Sequence, residues 1–541
     1  MTVPPARIDR VLGDGPFREI GLPRVTATSP DRTLIAVGGA HVAAQWHGRA
    51  VGSRSRPRPG RHPVAVHRTA DLACLHHTTT GWPVNALAFH PTRPLLAIGA
   101  GAYDGGYLHE GELLLLDLST GDTVSLLQYP REVRQITWRD PDTLDLVLAI
   151  PCDDDQHEGG STSLACSLRR DDWDRPATGM LRVPYAEAPH ADPPGPDPAA
   201  AADAVRRLSP GWAPRRAVWA VEGLADGRIL AAHEGVALEC WAPASADPDW
   251  QVTAGGTGYQ VHVAPGGRTA RVLTQASRAG RRTLAPSLVQ DVDLDDGRVL
   301  STRQAATPAI MVGRADGRWA LRGTGFDADA WAGEVTLIQP DEVTVRELGR
   351  YDLFNHYFDI RYAPDLLFLK GRGDKPWARK RVVAVDTPAG QIRELFPLEW
   401  DPARGGHLSG GCGAYLDDRD GPAIVHTGEV HNGRGPLPGN AFVVRRAYPS
   451  GQARWVFTAD SQATALDADA EHVYVTFNSG ELVILRTADG TAVSRQHLRV
   501  GGHPVVPLSL ARAGAGRLAI GTLDGRVLDC RVWREPIRCR T

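Results

Sequence analysis

The stretch His90–Leu127, HPTRPLLAIGAGAYDGGYLHEGELLLLDLSTGDTVSLL, carries three signals in a fixed order. The first is a turn followed by an apolar run, HPTRPLLAIG. Proline at its second position presets φ for a type I turn, and the Leu, Ala and Ile that follow supply a short buried strand. The second, EGELLLL, opens another strand. The third is the loop from Asp117 to Gly121, where glycine takes the left-handed backbone that a short polar loop needs before the chain returns as TVSLL.

Each signal recurs along the chain. The turn-then-strand pattern returns as SPDRTLIAVG (Ser29 to Gly38), DPDTLDLVLA (Asp140 to Ala149), APGGRTARVL (Ala264 to Leu273) and APDLLFL (Ala363 to Leu369). The strand opener returns at Ala332 to Ile338, Ser479 to Leu485 and Asp524 to Cys530. The loop with glycine four residues after its first position returns at Asp293 to Gly297, Asp386 to Gly390 and Arg486 to Gly490. In order, the three signals make a four-stranded antiparallel meander, and about ten such units begin near residues 20, 83, 133, 214, 258, 309, 356, 406, 462 and 504, at roughly the 40 to 50 residues of a propeller blade.

The expected class is therefore all-β, a β-propeller of four-stranded antiparallel blades spanning 17–541 after an N-terminal tail of residues 1–16. A lone meander leaves a face exposed, and radial stacking buries it. The last unit offers only three strands, Val505 to Leu510, Arg517 to Gly521 and Arg526 to Trp533, so an N-terminal strand at Phe17 to Leu22 is expected to complete it. The meander, the S/H/A-P-[DTG] turn, the DxxTG turn at Asp117 to Gly121, GGH at Gly501 to His503 and the Trp400-Asp401 dipeptide resemble WD40 and related PQQ-type propeller repeats. GH and WD do not recur in every unit, which departs from the regular WD40 blade and its hydrogen-bonded tetrad. Ten units exceed the familiar seven or eight, which leaves one large ring, or two rings with a hinge near 184–216. That stretch is rich in Pro and Ala and predicts a loop with one short helix at Ala199 to Leu208.

Composition narrows the function classes. With 541 residues, 42% hydrophobic and 23% charged, most of the chain can bury a core. A formal charge of −3 gives no overall attraction to nucleic acid or to an anionic membrane. Of 60 basic residues only Lys370, Lys375 and Lys380 are lysines. Seven cysteines, never spaced as CxxC, indicate neither a disulfide framework nor a zinc site, so no cofactor or metal is expected. No signal peptide or apolar membrane run is present, and the cytoplasm is the expected compartment.

Catalytic motifs are missing: GxSxG, the P-loop GxxxxGK[ST] and HExxH do not occur. The acidic run Asp153 to Asp155 with His157 and Glu158 lacks the spacing of a calcium loop and reads as a solvated loop. His407, Cys412, His426 and His431 fall in one unit, but His426 and His431 have opposite strand parity and face opposite ways.

Two basic loops stand out. SRSRPRPGRH (Ser53 to His62) carries Arg54, Arg56 and Arg58, and KGRGDKPWARKR (Lys370 to Arg381) carries Arg372, Lys375, Trp377, Lys380 and Arg381. With Trp82 and Trp212, which sit in Pro-flanked loops, these are the candidate partner-binding residues, since Trp and Arg concentrate at interface hot spots. Trp138, Trp241, Trp319, Trp455 and Trp533 read instead as wedges between blades. The leading functional expectation is a non-catalytic WD40-like scaffold that binds one or more proteins through its face loops. The alternative is a quinoprotein- or lyase-like propeller holding a small molecule in a central channel lined by Asp117, Arg134, Asp359 and Arg361. A nucleic-acid clamp made of the two basic loops ranks third.

Overall fold

Four consecutive leucines, Leu113 to Leu116, show how the chain is built. Successive side chains of a strand point to opposite faces. Leu113 and Leu115 pack with Ile136, Leu144, Leu146 and Leu148 of the following sheet, and Leu114 and Leu116 pack with Ala36, Val64 and Val66 of the preceding one. A strand buried on both faces reads as an unbroken apolar run, and each leucine so placed contributes about 1.5–3 kcal/mol of burial.

The computed structural model describes residues 6–41, 62–103, 109–150, 163–183, 190–191, 194–275, 287–305, 309–323, 332–338, 346–352, 358–371, 379–386, 391–398, 407–431 and 439–532. Among them are one α-helix and ten sheets of three or more strands. In chain order the sheets span 22–80, 84–125, 133–191, 218–252, 257–304, 309–352, 366–397, 407–459, 463–497 and 507–531, and are called the first to the tenth. Each span starts close to one of the ten units read from the sequence. Eight sheets are four-stranded; the seventh has three strands, and the eighth has five because Ile360–Arg361 pairs in parallel with Gly413–Ala414. No helix among the described residues is long and apolar enough to cross a membrane.

The chain divides into two compact units. The larger holds residues 6–13 and 217–532 of those described, and the smaller holds 14–41 and 62–216, so the division falls at the end of the Pro- and Ala-rich stretch. The larger unit contains the fourth to tenth sheets, and the order of their packing returns to its start. The fourth packs on the fifth through Leu230, Leu238, Val261 and Val272, the fifth on the sixth through Leu273, Val289, Met311 and Leu321, and the sixth on the seventh through Val312, Ala320, Leu366 and Val383. The seventh meets the eighth through Val382, Phe396, Ile424 and Phe442, the eighth the ninth through Val425, Val443, Val475 and Val483, and the ninth the tenth through Leu482, Ile484, Leu510 and Ile520. The tenth then packs back on the fourth through Ala511, Ala519, Val218 and Ile229. Among the described residues no single sheet closes on itself.

The smaller unit is a stack of the first three sheets with two different ends. The helix Pro198–Leu208 packs against the first sheet with Ala202, Val205 and Leu208, alongside Phe17, Ile20 and Trp212. It starts as expected from its residues: Asp197 caps it by accepting from the amides of Ala199 and Ala200 at 3.0 Å, and Pro198 stands in the first turn. On the third sheet, Ser167 donates to Asp145 at 2.6 Å and Arg139 donates to it at 3.1 Å, a polar and exposed group facing away from the second sheet.

The recurring loops close as their residues demand. The amides of Gly121, Gly297 and Gly490 donate to the carbonyls of Asp117, Asp293 and Arg486 at 2.7, 3.0 and 2.9 Å, with φ of +82°, +74° and +72°. Gly451 makes the same turn on Ala447, at 2.7 Å and φ +73°. The loop at Asp386 to Gly390 lies outside the described residues after Asp386. A second use of these glycines was not foreseen. A Cβ at Gly297 would stand 2.6 Å from the Trp250 ring, one at Gly490 2.6 Å from Trp455, and one at Gly451 2.0 Å from Phe396. In each case an aromatic on the last strand of one sheet packs against the turn of the next, so the missing side chain makes the joint.

One expectation needs correcting. The strand that completes the tenth sheet is Arg7–Leu12, antiparallel to Val527–Arg531, and not Phe17 to Leu22. Arg7–Leu12 is therefore part of the sheet and not of a tail. Phe17 and Gly21 have φ of +59° and +63° and bracket a 3-10 turn at Arg18–Ile20, which folds Phe17 and Ile20 into the core of the first sheet. Backbone of that kind cannot extend into a ladder.

Gly490→Ala and Gly235→Ala separate the two demands on these glycines. Gly235 also has positive φ, +90°, but has open space around its α-carbon. Chemical denaturation should show a loss of about 1 kcal/mol for Gly235→Ala from backbone strain alone, and a further ~1–3 kcal/mol for Gly490→Ala from overlap with Trp455.

Candidate functional site

Charged residues gather at the first strands of the sheets in the larger unit. Glu222 lies near the end of Val218–Gly223, Asp467 near the end of Ala463–Ala468 and Arg512 at the end of Pro507–Arg512. Arg361 belongs to the short segment Ile360–Arg361, held by its parallel pairing and by the Gly413 amide, which donates to the Asp359 carbonyl at 2.9 Å. The run Ser409 to Gly413, SGGCG, makes room for that segment: a Cβ on Gly413 would stand 2.8 Å from Ile360 and 2.4 Å from the Val425 carbonyl.

Arg361 is the hub. One Nη donates to Glu222, and the other donates to the Leu510 carbonyl at 3.2 Å and lies 3.6 Å from Asp467 Oδ2. Asp467 also accepts from the Arg512 amide at 2.9 Å and from Arg512 Nε at 3.4 Å. Two guanidiniums and two carboxylates thus tie the fourth, eighth, ninth and tenth sheets together. Gln260 extends the network by donating to the Met311 carbonyl at 2.8 Å and to Asp359 Oδ2 at 3.3 Å, and by accepting from the Met311 amide at 2.6 Å. Beside these groups is a cavity of about 50 Å³ with Gln260, His262, Asp359, Arg361, Cys412 and Ser509 on its wall, room for a few water molecules.

Burial raises the Glu222 carboxyl to about 7; Arg361 opposes that rise, and Asp467 and Asp359 add to it. Arg361 is held above the ordinary arginine value. Burial works against its charge, but Glu222 and the neighbouring acids outweigh it. Chemically the arrangement is a cross-link with one proton-exchanging carboxyl. Its two arginines are already engaged by carboxylates of the same chain.

Of the four residues expected to line a channel, the structure brings Asp359 and Arg361 to this cavity. Asp117 and Arg134 belong to the smaller unit, where Asp117 accepts from the amides of Ser119 and Thr120 inside its own turn and Arg134 donates to Ser163 at 2.6 Å. Glu222, Asp467 and Arg512 were missed. Their signal was a charge near the end of an apolar first strand, repeated from unit to unit.

The partner-binding candidates fare differently. Arg54, Arg56, Arg58, Arg372, Lys375 and Trp377 lie outside the described residues, as do the acidic run at Asp153 to Glu158, Trp400-Asp401 and Trp533. Trp82 is half-buried, and its carbonyl accepts from Thr80 at 2.6 Å. Trp212 is 8% exposed and packs in the core with Val205, so its ring is not the surface anchor expected from its Pro-flanked loop. Lys380 is 5% exposed, with its carbonyl accepting from the Leu398 amide at 2.9 Å, and Arg381 sits in a strand paired with Lys370 and bridges to Glu394 at 3.3 Å, so neither stands on the expected loop. Of the expected wedges, Trp241 and Trp319 are buried, and Trp138 and Trp455 pack against the sheet joints.

His426, one of the four possible soft-metal ligands, is fully buried, with Nδ1 donating to the Thr427 carbonyl at 2.9 Å and Nε2 accepting from Arg446 Nε at 3.2 Å. Its lone pair is used by a guanidinium. Among the described residues one set of three donors, Glu19, His67 and Cys74 in the smaller unit, has all its ligand atoms within 4.8 Å of one another. Comparison with known protein families and with curated proteins finds no match for this chain.

Two pH dependences follow with opposite signs. Glu222 binds its proton more tightly folded than unfolded, so its contribution is complete below about 4.5 and is lost as pH rises through about 7. Glu222→Gln should remove a fall in unfolding free energy of up to about 3 kcal/mol between pH 4.5 and 8. Burial, helped by Arg446, lowers His426 to about 3 from 6.5, so its contribution is complete above 6.5 and is lost as pH falls toward 3. Denaturation of His426→Gln across that range should show a shallower acid limb than the parent chain.

Proposed function

We propose that the chain is a WD40-like β-propeller scaffold of the cytoplasm, with the seven-sheet unit as its ring, and that it works by holding protein partners on the loops at the ring's faces. The observation that carries this reading is the return of the seven sheets to their start, completed by the N-terminal strand. Such a cycle gives every sheet two neighbours and suits a rigid frame. The inner charges support the same reading, because Arg361 and Arg512 are neutralised by Glu222 and Asp467 around a cavity of only about 50 Å³.

A second reading, a small molecule held at the inner strands, is favoured by one feature: Asp359 and Arg361 reach that cavity beside a carboxyl raised to about 7. The nucleic-acid reading rests largely on residues outside those described, and the one described lysine it needs, Lys380, is 5% exposed, so it gains no support.

Native mass spectrometry of the protein gently purified from its own cells separates the first two. The scaffold reading expects a stoichiometric protein partner that Glu222→Gln retains. A bare chain carrying a defined small mass, lost in Glu222→Gln, would replace it with the second reading.

A further inference from the structure

We propose that Glu19, His67 and Cys74 of the smaller unit form a binding site for a thiophilic divalent metal of the zinc type. His67 Nδ1 lies 3.1 Å from the Leu72 carbonyl. A carbonyl can only accept, so Nδ1 carries the proton, and the lone pair of a neutral ring is left on Nε2. Nε2 faces Glu19 Oε1 at 3.1 Å. A lone pair aimed at a carboxylate oxygen is repulsive, so a cation belongs between them, either a second proton on the ring or a metal ion.

The third donor selects the metal. Cys74 Sγ is within 4.8 Å of the other two ligand atoms, and a proton shared by an imidazole and a carboxylate has no use for a thiol at the same point. Zinc bonds of about 2.0–2.3 Å in a tetrahedron place ligand atoms about 3.3–3.6 Å apart, so the His67–Glu19 pair at 3.1 Å is slightly tighter than that spacing, and small side-chain rotations bring all three donors into it. Charge agrees. One thiolate, one carboxylate and a neutral imidazole balance a divalent ion to zero, which an apolar pocket favours. The pocket is apolar: the Phe17 ring lies 4.3 Å from the His67 ring, and Ile20, Ile35 and Ala65 share its cluster.

The Leu72 carbonyl does what second-shell acceptors do for metal-bound histidines, fixing tautomer and ring orientation. Cys74 is only half-buried, and its thiol makes a weak contact, 3.5 Å to the His76 carbonyl, which metal binding would replace. Three protein donors leave a fourth position for water or an outside ligand. No sequence motif announced the site, since its ligands come from a 3-10 turn and two separate strands.

Cobalt(II) titration of the full-length chain under reducing conditions, read by thiolate-to-cobalt charge-transfer absorption, tests the site, with zinc competition giving stoichiometry. One equivalent of cobalt should bind and be displaced by zinc. Cys74→Ser should abolish the band, and His67→Gln should weaken binding by at least tenfold. Cys166, Cys240, Cys412 and Cys530 are likewise not in disulfides, so a band that survives Cys74→Ser belongs elsewhere and overturns the proposal. Absence of any band from the parent chain overturns it as well, whatever the variants do. The proposal is independent of the scaffold reading.

Discussion

Every sheet in this protein needs cover on both faces, and the rest of the structure follows from that need. A four-stranded meander with apolar residues on both faces of its inner strands cannot stand alone in water. Within the larger unit the cover comes from other sheets, and seven of them supply it to one another. Within the smaller unit three sheets meet the same need by ending differently: one outer face lies under an amphipathic helix, and the other has exchanged leucine and valine for Asp145, Arg139 and Ser167. Register is pinned by this arrangement, since a slip of one residue would exchange the two apolar faces of a strand against differently shaped neighbours.

Where first strands converge, space is scarce and charge has to be balanced locally. Glycine serves the first condition at Gly410 and Gly413, and Arg361 with its carboxylates serves the second. Buried ion pairs of this kind add little net stability, because desolvation consumes most of the Coulomb gain. Removing one partner, however, leaves a charge stranded among four sheets.

The strands and turns were readable because their causes are local. Proline at the second turn position, glycine at the left-handed position and runs of Val, Ile and Leu act within a few residues, so the start of each sheet was visible from the chain alone. Arg7–Leu12 was not, because a strand interrupted by charges declares itself only when its partner, with Asp529 to receive Arg10 at 3.0 Å, is known. The candidate site was half visible. Asp359 and Arg361 are charges close together in the chain, whereas Glu222, Asp467 and Arg512 become neighbours only through packing. Trp212 misled for a related reason: proline on its flank indicates a loop, but says nothing of the helix that folds over it.

Pairing of Arg7–Leu12 with Val527–Arg531 sets the order of events during synthesis. The contact between Arg10 and Asp529 spans 519 residues, among the least local a chain of this length can make. At roughly 5–20 residues per second, a ribosome needs about half a minute to two minutes to deliver the second partner after the first. During that interval the opening strand has no ladder to join, while the sheets of the smaller unit can already be stacking. The Arg7–Leu12 segment thus waits for its partner, and the larger unit cannot complete its packing until Val527–Arg531 has been made.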